Sequence, residues 1–145
     1  MNINLPKKVV ERVRAIIILE KRILLINRVK QDESYWVIPG GRVESKENHE
    51  DALKRECLEE MGVSIKVKNL FFHKSSEKPE TFGHQEYYYL CDITGGEVGT
   101  GEGPEFQRNG SYVGEYNIQW VDFKNFINLN LKPKEVKEKI IKEFL

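Results

Sequence analysis

Between Asn48 and Gly62 the chain carries its own signals for where a helix begins and where it ends. Asn48 suits the N-cap, Asp51 stands three residues on as a variant of the capping-box partner, and Gly62 is the residue that most easily closes a helix in the left-handed conformation. Just upstream, Pro39-Gly40-Gly41 breaks a short strand expected over Tyr35 to Ile38. Leu53, Cys57 and Met61, spaced by four, give the helix an apolar side, and Glu56, Glu59 and Glu60, at i, i+3 and i+4, give it an acidic one. At about 100° per residue the three carboxylates share a face.

Like charges at this spacing weaken an isolated helix by a few tenths of a kcal/mol per pair, so the cluster is not there for helix stability. A solvated face is the bland explanation. A divalent cation is the sharper one: Mg²⁺ takes oxygen ligands, keeps several waters and commonly bridges one or two carboxylates to substrate phosphates. Ala52, one turn before Glu56, leaves room for a hydrated ion.

Around this helix the pattern is mostly β. Arg12 to Leu19 and Ile23 to Ile26, joined by Glu20-Lys21-Arg22, read as a hairpin. Ser64 to Phe72, Glu86 to Asp92 and Ile118 to Phe123 read as strands, and Lys134 to Phe144 as a helix with Val136, Ile140, Ile141 and Phe144 on one side. The order predicts an α/β fold, a mixed sheet with helices against its faces, in one domain over residues 1–145. Gly95 to Gly114 holds seven glycines with Glu102, Pro104 and Glu105, more than a connection needs, and reads as a substrate-side loop.

Lys+Arg and Asp+Glu each total 23, so no long-range field steers the chain onto nucleic acid or an anionic membrane, and an anionic substrate must be held locally. No extended nucleic-acid footprint is expected. Two cysteines, Cys57 and Cys91, in a chain able to build its own core point to reduced thiols and a cytoplasmic setting. The first residues lack a secretory pattern, and no apolar run is long enough to span a bilayer.

Residues 41–63, GRVESKENHEDALKRECLEEMGV, fit the Nudix box G-x5-E-x7-R-E-U-x-E-E-x-G-U, where U is bulky and apolar. Gly41, Glu47, Arg55, Glu56, Glu59, Glu60 and Gly62 fill all seven fixed positions. Chance alone has odds on the order of one in 10⁸ per starting point. Val63 conforms at the second U; Cys57, at the first, is smaller than usual but is a common buried residue. The chain thus resembles the Nudix (MutT-like) hydrolases, and the resemblance implies an α/β/α sandwich and hydrolysis of a phosphoanhydride bond. The substrate class is a nucleoside diphosphate linked to another group or a nucleoside triphosphate, with Mg²⁺, or Mn²⁺ in its place, as cofactor.

By that resemblance Glu56 and Glu60 are direct metal ligands and Glu59 is a ligand or positions metal-bound water. Arg55 and Glu47 orient loop and helix through an ion pair. Glu105, and after it Glu102, is the candidate for a further carboxylate acting as ligand or general base. Arg28, with Arg12 and Arg14, can pair with substrate phosphates; Trp36, Tyr35 or the run Tyr87-Tyr88-Tyr89 can stack on a base, though strand aromatics more often belong to the core; and Gly40 and Gly41 lie where substrate approaches the backbone. His49, His73 and His84 lack metal-ligand spacing and read as ordinary polar residues. Pro79 stands roughly where an ADP-ribose-cleaving subgroup carries a marker proline, but ordinary turn chemistry explains it as well. The resemblance is compatible with a homodimer. A nucleotide-sensing module that has lost catalysis is the alternative, and the complete glutamate set argues against it.

Overall fold

Residues 9–100 and 115–145 are described by the computed structural model. Strands β1 (Glu11–Leu19) and β2 (Arg22–Lys30) form the expected hairpin. Its turn is only Glu20 and Lys21, at φ 51° and 61°, the left-handed pair whose twist suits a two-residue hairpin. Arg22 therefore opens β2 instead of belonging to the link.

Only Ile18↔Ile23 and Leu19↔Arg22 pair across this hairpin before the strands part. β1 continues between β4 (Gly40–Arg42) and β6 (Gln85–Gly96), with β5 (Val63–Ser75) beyond β6. β2 continues between β3 (Glu33–Val37) and β7 (Glu115–Asp122), with β8 (Leu131–Lys132) beyond β3. β1 and β6 are parallel, as are β3 and β8, and the remaining pairings are antiparallel, so the sheet is mixed.

Alternation along the strands sets the layers. Val13, Ala15 and Ile17 of β1 and Leu24 of β2 join Leu53, Cys57 and Met61 of helix α1 (His49–Met61) in one buried cluster. Ile16, Ile23 and Leu25 point the other way, into a second cluster with Val136 and Ile140 of helix α3 (Lys134–Phe144) and Phe126 of the short α2 (Phe123–Phe126). The sheet is thus covered on both faces, the expected α/β/α arrangement. Phe144, at the end of α3, stacks on Phe71 at 5.8 Å. Each fully buried Leu or Ile in these clusters contributes about 1.5–3 kcal/mol.

β4 had no sequence signature: three residues, two of them glycine, offer no period to read, and Pro39-Gly40-Gly41 reads only as a break. It is an edge strand whose Gly40, Gly41 and Arg42 pair with Arg14, Val13 and Arg12. β6 runs on through Gly96, into the stretch expected to be loop. The chain is last described before the gap at Thr100. There Gly99 N donates to Met61 O at 2.9 Å, so this turn lies against the C-terminal end of α1. Glu102 and Glu105 lie outside the described residues. Among the described residues no helix is long and apolar enough to cross a membrane.

Cys57 and Cys91 are free and buried. Burial pushes the Cys57 thiol well above its ordinary value and, with Asp92 nearby, raises Cys91 to about 12. Thiolate is the reactive form. Iodoacetamide at pH 8 is therefore expected to leave the native protein unmodified and to add two groups after denaturation, read by intact mass; rapid labelling of the folded protein would contradict this packing.

Candidate active site

Helix α1 begins as its cap residues require. The Asn48 side chain accepts from Asp51 N at 2.8 Å, and Gly62 closes the helix at φ 77°, donating its own N–H to Leu58 O at 2.9 Å. Between these two ends the helix lays Leu53, Cys57 and Met61 on the sheet, brings Glu56 and Glu60 against β4 and sets Glu59 beside Arg55. Glu60 is held deepest: only 6% exposed, it is the one buried charged residue of the described core, and its Oε1 accepts the Gly40 amide proton at 2.9 Å. A buried carboxylate is costly unless such donors or a cation satisfy it.

Gly41 faces Glu56. A Cβ built on Gly41 would lie 2.3 Å from the Glu56 carboxyl carbon and 2.5 Å from each of its oxygens, so the glycine is what lets that carboxylate lie against the strand. The Gly40 amide is engaged with Glu60, and Gly41 borders Glu56; both glycines thus belong to the carboxylate side of β4.

Arg55 ties the cluster together. Its Nε and Nη2 grip Glu47 in a two-pronged pair at 2.8 and 2.9 Å, Nη1 donates to Glu56 at 2.8 Å and Glu59 at 3.3 Å, and Nη2 also donates to the Arg42 carbonyl at 2.9 Å. Glu47 is itself locked by the loop it closes, since its Oε1 accepts from Glu44 N at 2.9 Å. The hydrogen bonds from Arg55, and then that from the Glu44 amide, hold the Glu47 carboxyl below its usual range. Glu47 in turn, ahead of Glu56, holds the Arg55 guanidinium above its ordinary value.

The sign of the pH effect follows. A carboxyl depressed in the folded state adds stability above its unfolded value, near 4.3, and that contribution disappears as pH falls through the lower folded value. Glu47→Gln is expected to melt a few degrees below wild type at pH 7, and the two melting temperatures should converge near pH 3. A gap that stays constant with pH would show that the pair adds no pH-linked stability.

The donor set suits a hard divalent cation: three carboxylates on adjacent turns of one helix, the most buried beside a backbone edge. Among the described residues no three acidic, histidine or cysteine side chains converge on one point at ligating distance; Arg55 instead draws Glu56 and Glu59 toward itself.

The other expected residues are distributed as follows. Arg28 lies in β2, in register with Tyr35 of β3 and Tyr116 of β7. Trp36 is partly buried against the α3-side cluster, its backbone N–H donating to Asn130 O at 2.9 Å. Arg12 and Arg14 alternate with Val13 and Ala15, so they project to the sheet face opposite α1. There they line a cavity of about 440 Å³ with residues from the end of β5, the Ser76–Gln85 turn and the start of α3. Among those, Lys74, Lys78, Lys132 and Lys134 went unnoticed in the sequence, because they come from segments far apart in the chain. His49, expected to be an ordinary polar residue, bridges Tyr89 Oη at 2.6 Å and Glu11 at 3.0 Å on the α1 side of the sheet.

Comparison with known proteins bears on the whole arrangement. A family model described as the NUDIX domain matches residues 9–144. An ADP-ribose pyrophosphatase of Methanocaldococcus jannaschii is 32% identical over 92% of this chain and 71% of its own length. An 8-oxo-dGTP diphosphatase of Buchnera aphidicola is 34% identical over 50% of this chain and 72% of its own. Among solved structures, the ORF135 protein of E. coli superposes with a TM-score of 0.67 at 23% identity, covering 93% of this chain and 90% of that one. A structure of MutT from Aliivibrio salmonicida and Vibrio cholerae gives 0.68 at 22%, covering 94% and 100%. At such identities the structural likeness speaks for the fold; the family model and the 32% relative speak for descent. The chain belongs to the NUDIX family and is a pyrophosphohydrolase of that family.

Proposed function

We propose that the chain hydrolyses a phosphoanhydride bond in a nucleoside diphosphate linked to a further group, or in a nucleoside triphosphate, with Mg²⁺ held by Glu56, Glu59 and Glu60 and Mn²⁺ able to replace it. The carrying observation is that Arg55, the Gly40 amide and the room left by Gly41 bring these three glutamates to one edge of the sheet. When bound, the cation neutralises closely spaced phosphate charge and lowers the pKa of an attacking water.

The protein's own residues do the positioning. Glu60, anchored on Gly40 N, fixes the depth of the site relative to β4. Arg55 holds Glu47 and with it the 43–48 loop, keeping the mouth of the site in one conformation. Glu59, whose side chain is 44% exposed, is the one of the three clustered glutamates that water reaches most easily. It is a metal ligand or the positioner of metal-bound water, and Glu105, and after it Glu102, is the loop candidate for the base. No side-chain nucleophile is required. Arg28, Arg12 and Arg14 supply guanidinium groups for phosphate oxygens, and Trp36 an aromatic edge near β8.

A metal-titrated phosphate-release assay over ADP-ribose, damaged purine nucleoside triphosphates, CTP and capped RNA tests this reading. Saturable, metal-dependent release from a member of the panel is the expected result. Tight nucleotide binding with no release at any metal concentration would mark a sensing module in place of an enzyme with this specificity.

A further inference from the structure

The cavity on the far face of β1 is out of balance with the rest of the molecule. Arg12, Arg14, Lys74, Lys78, Lys132 and Lys134 line it against only Glu86 and Glu135, in a chain with equal numbers of acidic and basic residues. The two carboxylates are already engaged: Glu86 lies 3.5 Å from Arg14 and accepts from Tyr88 Oη, and Glu135 pairs with Lys74 at 2.5 Å. Lys132 reaches Glu33 and lies over the Tyr35 ring, while Lys134 is 3.8 Å from the exposed Glu138. Neither Arg12 nor Lys78 has a carboxylate within 4 Å among the described residues.

Three further observations point the same way. Helix α3 starts at the cavity wall behind Pro133, whose side chain caps none of its amides; the positive end faces the cavity, with the Glu135 carboxylate accepting from its own backbone N–H there. The Nδ1 atom of His84, in the same wall, is buried and has no hydrogen-bond partner; a buried polar atom of this kind gains from a ligand that supplies one. Burial first, and then the neighbouring charge of Arg14, depress the Arg12 guanidinium; Glu86 opposes this and Arg42 adds to it.

Position connects the cavity to the hydrolytic edge. Arg14 is in register with Gly40, whose amide holds Glu60, so the backbones behind the two regions are one strand spacing apart, about 4.8 Å. A volume of about 440 Å³ suits one half of a nucleotide conjugate.

We propose that this cavity receives a phosphate monoester carried by the half of the substrate remote from the cleaved anhydride, so that the enzyme selects small nucleotide conjugates phosphorylated at a second place. The inference rests on the pyrophosphohydrolase reading above and names the substrate class within it. A monoester brings between one and two negative charges at neutral pH and three acceptor oxygens, which matches Arg12, Lys78 and the His84 edge. An uncharged sugar or base would leave the cationic excess uncompensated.

Matched substrate pairs that differ by one phosphate monoester test it: NADPH against NADH, and coenzyme A against its dephospho form. In at least one pair, kcat/KM should favour the phosphorylated member by about tenfold or more, mostly through KM. That ratio should approach one in Lys78→Ala and in Arg12→Ala. Because the ratio is taken within each variant, a general loss of activity cancels. Equal rates within both pairs, or a preference that survives both substitutions, would overturn the inference while leaving hydrolysis itself established. Should nothing be hydrolysed, titration calorimetry of adenosine bisphosphate against adenosine monophosphate separates the two ideas. Tighter binding of the bisphosphate, weakened by Lys78→Ala, keeps the cavity assignment and removes the hydrolytic reading. Equal binding of the two ligands removes the cavity assignment.

Discussion

Glu60→Gln is expected to lower kcat on the best nucleotide substrate by roughly 10³-fold, about 4 kcal/mol of transition-state stabilisation, while leaving the fold intact. Glutamine matches glutamate in volume, and its carbonyl oxygen can still accept the Gly40 amide proton at the 2.9 Å contact. What it removes is charge. A neutral side chain at the most buried carboxylate position weakens the hold on a divalent cation where phosphate charge must be neutralised. The same change takes one negative charge out of a crowded acidic face, so thermal stability without added metal should hold steady or rise. Loss of activity with retained stability separates a functional carboxylate from a structural one. Mg²⁺ or Mn²⁺ should raise the melting temperature of wild type, since a ligand that binds only the native state stabilises it, and should do so less in the variant. Wild-type turnover in Glu60→Gln would remove Glu60 from the site.

How far the sequence foretold this site depends on how local each signal is. The ends of α1 are written in Asn48 and Gly62, and both cap as expected because capping involves residues three or four apart. The shared face of Glu56, Glu59 and Glu60 follows from helical period alone, and the grip of Arg55 on Glu47 spans only eight residues. β4 was hidden because its partner, β1, is nearly thirty residues away and its two glycines carry no β signal.

The cationic cavity was hidden for a related reason. Its lysines belong to two stretches, 74–78 and 132–134, each with acidic residues close by in sequence, and the zero net charge of the chain gives no hint that folding sorts them. Only Arg12 and Arg14 stood out beforehand, because they alternate with apolar residues on a strand. The covalent neighbours of a charge say little about its spatial neighbours, whereas the period of an apolar face says a great deal about which way it points.

The neighbouring glycines of β4 should fail in different ways when given a methyl group, and the contrast tests how the strand supports the helix. At Gly40 the new Cβ would come within 2.0 Å of Val13 O and 2.7 Å of Arg14 Cα, both backbone atoms of the central strand, and φ there is 154°, a conformation L side chains rarely adopt. Neither obstacle can rotate away. Gly40→Ala must push β4 off β1, breaking the pairing with Arg14 and pulling the amide from Glu60. Backbone strain and overpacking together put the cost at about 3–5 kcal/mol, a large part of the roughly 5–15 kcal/mol that holds a domain of this kind together. At Gly41 the obstacle is the Glu56 carboxylate, the far end of a side chain. Gly41→Ala can be accommodated by swinging that carboxylate aside, which keeps the strand but disperses the acidic cluster. Chemical denaturation should therefore show a large drop in midpoint for Gly40→Ala and a small one for Gly41→Ala. Gly41→Ala, though folded, should lose at least about tenfold in kcat. If it kept full activity, the Glu56 carboxylate would not need to lie against β4 for hydrolysis, and Glu60 and Glu59 would have to organise the site without it.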